Sequence, residues 1–281
     1  MHIALCGECS TWQLRCSLSM KSDLPQLDMK TKLSRNHLGL WFSGPNVATA
    51  EIGKTIGYSV AILDIEHGTF DLDALDRFIP FLKALGYEVF AKVLGPTREA
   101  VQQALDFGAD AVVIPHISGV EEARRVCGYA KLPPLGDRSL AGGRTTNFAY
   151  PADEWIEQQD RNTKCYPMIE DEHALAEVGA ILDLPCVDGV FIGPTDLSIR
   201  RGRGIYKRQV GDWTDIESVV KSAKAAGKSW VFPAWSPEEQ AFAIQNGAER
   251  VFIAMEQLAL YRGLSAIWAT ANETLQSHSQ Q

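Results

Sequence analysis

The chain has 281 residues, 46% of them hydrophobic, and a formal net charge of −8. That composition is ordinary for a globular protein, and the length is enough to bury a sizeable core without disulfides or a structural metal. The acidic balance argues against a nucleic-acid partner, and with no apolar run of about 18 residues nothing is predicted to span a membrane.

Residues 1–32 show no apolar periodicity. Glu8, Gln13 and Arg15 interrupt any secretory core, and Arg15 is the only arginine before Arg35, which also makes a poor mitochondrial presequence. A cytoplasmic location follows, with residues 1–35 expected to be a disordered N-terminal extension. Cys6 and Cys9 form a C-x-x-C, but no second pair accompanies it at zinc-ligand spacing. All six cysteines are expected to be free thiols.

From there one rhythm repeats. Short runs rich in Val, Ile and Phe fall at 37–43, 59–65, 88–94, 111–117, 165–170, 189–192, 229–234 and 250–255. They do not alternate cleanly, as expected of strands buried on both faces of a parallel sheet. Between them lie amphipathic patterns that predict helices over 72–85, 97–107, 121–130, 174–184, 216–226 and 237–246, with a last one over 257–275. The first carries Leu72, Leu75, Phe78, Ile79, Leu82 and Leu85 on one face and stops at Gly86. Eight strands alternating with helices predict a single-domain (β/α)₈ TIM barrel over 36–275, with 276–281 as a tail. No G-x-G-x-x-G follows the first strand to favour a dinucleotide fold. The segment 132–164 carries four prolines and glycines before Gly143 and reads as a long loop, functional or disordered.

Active sites of such barrels sit at the C-terminal strand ends. Strand two ends in Asp64-Ile65-Glu66-His67, strand three carries Lys92, strand four ends in Pro115-His116, strand five in Glu170, and strand six in Gly193-Pro194-Thr195-Asp196. Trp41, Trp235 and Glu256 are the bulky or charged exceptions on strands one, seven and eight. Glu170 and Asp196 close adjacent strands at one level. Such a pair can act as acid and base, can hold a hard divalent cation completed by water and substrate oxygens, or can cap the following helices. His67 suits proton transfer near neutrality, and Asp64 could orient it, although strand alternation points the two to opposite faces unless the strand has already ended.

The stretches L-D-I-E-H-G (63–68), A-L-D-F-G-A (104–109), I-P-H (114–116), P-P-L-G-D-R (133–138), M-I-E (168–170) and F-I-G-P-T-D-L-S (191–198) resemble the HpcH/HpaI aldolase family of metal-dependent, class II pyruvate aldolases. The likeness spans about residues 36–265, and its specificity lies in the order of the motifs. It implies that Glu170 and Asp196 hold the metal (Mg²⁺ or Mn²⁺, with Co²⁺ a further option) and that His67 is the catalytic histidine, paired with Asp64. It further implies that backbone N–H groups at Gly193 and Thr195 hold the pyruvate carboxylate, that Trp41 lies near the pocket, and that Asp106 reaches a neighbouring subunit's site. His116 is similar to the fungal macrophomate synthase branch, which decarboxylates oxaloacetate. The partners implied are a keto acid, an aldehyde and further copies of the chain in a homo-oligomer, a hexamer in the family, with no nucleic acid and no membrane.

Three positions depart from the family pattern. Lys92 replaces the arginine that stabilises the enolate, a mobile point charge for a rigid fork. Ser139 replaces a glycine after Arg138. The loop after Asp196 carries Arg200, Arg201 and Arg203, which could recruit an acidic group on the aldehyde or simply be solvated. The implied activity is retro-aldol cleavage of 4-hydroxy-2-keto acids to pyruvate and an aldehyde, with oxaloacetate decarboxylation through the same enolate. The alternatives are a Schiff-base aldolase using Lys92, or a non-catalytic descendant that binds a keto acid.

Overall fold

A computed structural model describes residues 37–279. The N-terminal segment, with its C-x-x-C and the expected extension, lies outside the described residues. Eight parallel strands close into a barrel in sequence order: β1 (Leu38–Phe42), β2 (Val60–Asp64), β3 (Glu88–Lys92), β4 (Ala111–Ile114), β5 (Lys164–Ile169), β6 (Gly189–Ile192), β7 (Ser229–Pro233) and β8 (Arg250–Met255). Each falls on a segment predicted as a strand.

The strands read as apolar runs because both of their faces are buried. One face packs outward against the helices, in a cluster that includes Leu40, Leu63, Val89, Val112, Ile169, Val190 and Phe232. The other fills the barrel with Val60, Ile62, Phe90, Val113, Tyr166, Phe191, Val231 and Phe252. The interior is therefore a packed core, and only the strand ends are free for chemistry.

Eleven α-helices surround the strands among the described residues: α1 (Val47–Ile56), α2 (Leu72–Ala84), α3 (Arg98–Asp106), α4 (Val120–Cys127), α5 (Trp155–Asn162), α6 (Glu172–Ala176), α7 (Val178–Leu182), α8 (Pro194–Arg200), α9 (Val210–Ala225), α10 (Pro237–Asn246) and α11 (Glu256–Ser279). The patterns that predict helices locate α2, α3, α4, α10 and most of α9. The single helix expected over 174–184 is two, broken at Glu177, whose carboxylate accepts the N–H of Val120, the first residue of α4, at 2.7 Å. Three helices carry no predicted pattern. α1 leaves Val47, Ile52 and Ile56 exposed, so its apolar residues do not mark a buried stripe. α5 lies inside the segment read as loop, and α8 follows β6 with no intervening turn. α11 runs to Ser279, so the tail expected over 276–281 is helical through that residue.

Most of α11 is exposed, with Leu260, Tyr261, Leu264, Ile267 and Trp268 in water. No helix of the described chain is long and apolar enough to cross a membrane. Cys127, Cys165 and Cys186 are buried free thiols. A hydrogen bond to Cys165, together with burial, pushes the Cys127 thiol well up, so it is held as a packed, unreactive group.

Candidate active site

The polar groups at the C-terminal strand ends meet on one arc of the rim, running from β2 to β6. Strand register brings the first two together: Asp64 and Lys92 are partners across β2 and β3. The Lys92 ammonium donates to Asp64 Oδ1 at 3.0 Å, and its side chain is 4% exposed. It also makes a short contact with Glu66 Oε2. The other Glu66 oxygen, Oε1, lies 2.6 Å from His116 Nε2. One carboxylate thus ties the lysine of β3 to the histidine after β4. Burial pushes the Glu66 carboxyl up, but Lys92, His67 and His116 outweigh it and hold the group below the usual carboxylate range.

His116 serves both ends of this arc. Its φ of 61° places it in the left-handed region, uncommon for a residue with a side chain. That turn aims its backbone N–H at Glu170 Oε1, 2.7 Å away, while its ring faces Glu66. Glu170 itself is buried. Burial pushes its carboxyl up, the His116 amide counters this, and the neighbouring Asp196 charge raises it further. Asp196 is exposed, and its carboxylate makes no side-chain hydrogen bond or ion pair among the described residues. The Asp196 charge acts on Glu170, only His116 opposes it there, and the two carboxylates leave a local demand for positive charge. No group of three or more His, Cys, Asp or Glu forms a metal cage among the described residues, so a cation here would take most of its ligands from water and substrate.

His67 stands outside the buried cluster, with its side chain 66% exposed and Nε2 3.5 Å from Glu66 Oε2. β2 has already ended at Asp64, and a turn carries the chain through Glu66 and His67. Asp64 meets His67 through the backbone: Oδ1 accepts the His67 N–H at 3.3 Å, and Oδ2 accepts Trp41 Nε1–H at 3.2 Å. The aspartate therefore positions the turn that carries the histidine; its hydrogen bonds go to the backbone N–H, the indole and Lys92.

Gly193 contributes space. Its N–H donates to the Ile169 carbonyl at 3.0 Å, so it is already used by the sheet. A Cβ at this position would lie 2.7 Å from Met168 Cε and 2.8 Å from Glu170 Cβ, which is why only glycine fits beside Glu170. The amides of Thr195 and Asp196, in the first turn of α8 behind Pro194, have no intrahelical acceptor and are the ones free for an anion. Asp106, at the end of α3, pairs with the buried Arg138 at 2.7 Å within the same chain.

The arginines after α8 are not a free cationic patch. Arg200 donates to Asp171 at 3.0 Å, and Arg201 lies 3.4 Å from Asp215. Arg203 bridges Asp212 at 2.8 Å and Asp215 at 2.6 Å, both buried on α9. Arg208 holds the buried Glu239 of α10 at 3.0 Å. Arg201, Arg203 and Arg208 stitch the loop to α9 and α10, and Arg200 ties the end of α8 to the residue ahead of α6. For Arg203, recruiting an acidic substrate group would leave the buried Asp212 and Asp215 uncompensated, whereas Arg200 and Arg201 are partly exposed.

Glu66 is the residue that sequence reasoning passed over. Its position two residues after Asp64, on the same face of an extended chain, was the available signal.

Acid–base groups gathered at the C-terminal ends of barrel strands are how enzymes of this architecture do chemistry. Over residues 37–255 the chain matches the model of the HpcH/HpaI aldolase/citrate lyase family, and it belongs to that family of carbon–carbon lyases. Among curated proteins it is 28% identical over 233 residues to the 2-keto-3-deoxy-L-rhamnonate aldolase of Salmonella gallinarum, covering 82% of this chain and 86% of that one. Among known structures, the HpcH/HpaI aldolase from Desulfitobacterium hafniense DCB-2 superposes with a TM-score of 0.79 at 25% identity, covering 85% of this chain and 93% of the other. Macrophomate synthase shares the fold, with a TM-score of 0.74 at 21% identity over 85% of each chain.

Proposed function

We propose that the protein is a divalent-metal-dependent lyase that cleaves 4-hydroxy-2-keto acids to pyruvate and an aldehyde, and that decarboxylates oxaloacetate through the same enolate. The observation that carries this reading is the Glu170–Asp196 pair, two electrostatically coupled carboxylates without a full complement of cations, on the same arc of the rim as the fixed ammonium of Lys92. The pair suits Mg²⁺ or Mn²⁺, and Co²⁺ by the same donor set. When bound, the metal supplies Lewis acidity toward a chelating keto acid.

The chain's own groups do the rest. His67, exposed at the mouth and anchored through its backbone to Asp64, takes the proton from the substrate's C4 hydroxyl. The amides of Thr195 and Asp196 receive the pyruvate carboxylate. Lys92 has three N–H donors. Two are directed to Asp64 and Glu66, and the third is available to the oxygen on which enolate charge develops. Glu66 and Asp64 thus restore to a flexible lysine part of the fixity that a guanidinium has by itself. The same two ion pairs speak against a Schiff-base role, which requires the Lys92 nitrogen as a free amine.

The deciding assay measures pyruvate release from oxaloacetate and from 4-hydroxy-2-keto acids, with Mg²⁺ and with excess chelator. Turnover of both with Mg²⁺ and of neither in chelator is expected. Full turnover in chelator, with borohydride trapping pyruvate on Lys92, would establish the Schiff-base alternative instead.

We further propose that the protein works as a homo-oligomer, with the apolar stripe of α11 packed on another copy of the chain. Leu260, Leu264, Ile267 and Trp268 recur at helical spacing and are all exposed, an arrangement a helix keeps when it has a partner. On this reading Asp106 lies toward a neighbouring copy's site. Light scattering should give a mass several times that of one chain, and the Leu264→Asp/Trp268→Asp double variant should shift it to the monomer. A monomeric wild type would remove both proposals.

A further inference from the structure

The rim of the barrel divides into two arcs of opposite character. From β2 to β6 it carries Asp64, Glu66, Lys92, His116, Glu170 and Asp196. From β7 through β8 to β1 it is aromatic and apolar. Inward alternation along β7 runs through Val231 and Pro233 and continues past the strand end to Trp235. β8 ends inward at Met255, which is in register with Trp41 of β1. Trp235 and Met255 are half-buried and rest on the barrel's interior cluster, so their free faces cap that cluster. The Trp41 and Trp235 rings meet edge to face, with centroids 5.8 Å apart at 72°. Glu256, just beyond Met255, is turned to the amides of Ser43 and Gly44 at 2.8 and 3.1 Å, where it braces the loop after β1.

The two arcs meet where β1 pairs with β2 and where β6 pairs with β7, and a side-chain hydrogen bond crosses the first of these seams. Trp41 belongs to the apolar arc and donates to Asp64, the residue that anchors the His67 turn. Around the closed barrel the order is therefore carboxylate pair (β5, β6), ammonium (β3), base (β2), then Trp41 (β1), Met255 (β8) and Trp235 (β7). A keto acid held at the first three has its C4 hydroxyl at the base. The substituent on C4 continues in the same direction, onto the tryptophans. Arg200 at the end of α8 and Arg203 and Arg208 of the α8–α9 loop are engaged with Asp171, Asp212, Asp215 and Glu239, which leaves the exposed Lys207 as the loop's cation without a side-chain ion pair among the described residues.

Resting on the lyase reading above, we propose that Trp41, Trp235 and Met255 form the aldehyde side of the site and select an apolar, aryl-bearing partner. The substrates are then 4-hydroxy-2-keto acids whose C4 carries an aromatic or bulky alkyl group. In the cleavage the hydroxyl proton passes to His67 and the C3–C4 bond breaks. Its electron pair stays with the keto acid as the pyruvate enolate, C4 leaves as the aldehyde, and protonation of the enolate at C3 gives pyruvate.

The test compares 4-hydroxy-2-keto-4-phenylbutanoate with 4,5-dihydroxy-2-ketopentanoate on the full chain with Mg²⁺. Burying one phenyl group against these side chains predicts a kcat/KM about 10- to 100-fold higher for the phenyl substrate. Trp235→Ala should reduce that preference about tenfold, chiefly through KM, while Trp235→Phe keeps most of it. A preference for the dihydroxy substrate, or a ratio that Trp235→Ala leaves unchanged, overturns the proposal. A second measurement needs no turnover: calorimetric binding of 2-keto-4-phenylbutanoate and of pyruvate to the wild type. Binding about tenfold tighter for the phenyl compound supports the arc even if neither hydroxy acid is cleaved, in which case the lyase reading alone fails. Equal affinity overturns the arc.

Discussion

Replacing Glu170 with glutamine, or Asp196 with asparagine, is expected to lower Mg²⁺-dependent pyruvate release about a thousandfold. The figure comes from the several kcal/mol that a Lewis-acid cation contributes at a developing oxyanion, at about 1.4 kcal/mol per factor of ten. Glutamine keeps the volume of Glu170 and an oxygen to accept the His116 N–H, so the barrel should fold unchanged and the loss should be chemical. Removing one of two adjacent carboxylates also removes their mutual repulsion. If the pair were merely capping α6 and α8, either substitution would leave activity intact and the melting temperature equal or higher. A Mn²⁺ titration followed by calorimetry separates the cases without any assay of turnover. The wild type should bind one labile ion per chain, and each variant should bind it far more weakly. Undiminished Mn²⁺ binding by both variants would place the cation elsewhere.

The second large effect concerns the proton. His67→Ala should cost about 10²- to 10⁴-fold in retro-aldol rate, the usual range for a positioned general base. Oxaloacetate decarboxylation should fall much less, because no hydroxyl proton leaves in that reaction. The imidazole is mostly exposed and is held through the backbone of its own turn, so the substitution should leave the fold untouched. Equal losses in both reactions would instead show His67 acting on the shared enolate half. Asp64→Asn is a useful companion. Asp64 reaches Trp41, the His67 amide and Lys92 together, so its loss should damage both reactions, in contrast to the selective effect at His67.

The departures from the family pattern acquire a physical meaning from their neighbours. A lysine in place of arginine looks like a weakened site when read alone. Between Asp64 and Glu66 it becomes a fixed point charge, and Glu66 extends the same network to His116. The family histidine and carboxylates were legible by motif. The hub that connects them was not, because its partners on β3 and after β4 lie 26 and 50 residues away in sequence. The extra arginines tell the opposite story. In sequence they resemble a cationic mouth, yet each faces an acid contributed by another element, as Arg203 does across to Asp212 and Asp215.

The sequence by itself determined the barrel. Eight apolar runs separated by amphipathic helices leave few other ways to bury both faces of every strand, and local spacing alone put Asp64, Lys92, Glu170 and Asp196 at strand ends, with Glu170 and Asp196 at one level. Local spacing also marked Trp41 and Trp235 as odd bulky residues at strand ends. Only the tertiary structure decided what each of these groups faces. Closure of the sheet sets β1 beside β8, bringing Trp41 next to Met255 from the far end of the chain, and it separates a charged arc from an aromatic one. Packing likewise decided that Gly193 yields space while its N–H serves the sheet, and that no other element of the same chain covers the apolar stripe of α11 among the described residues. Periodicity reports which face of an element is apolar. Which surface that face meets depends on contacts between residues far apart in the chain, and those exist only once the barrel has closed.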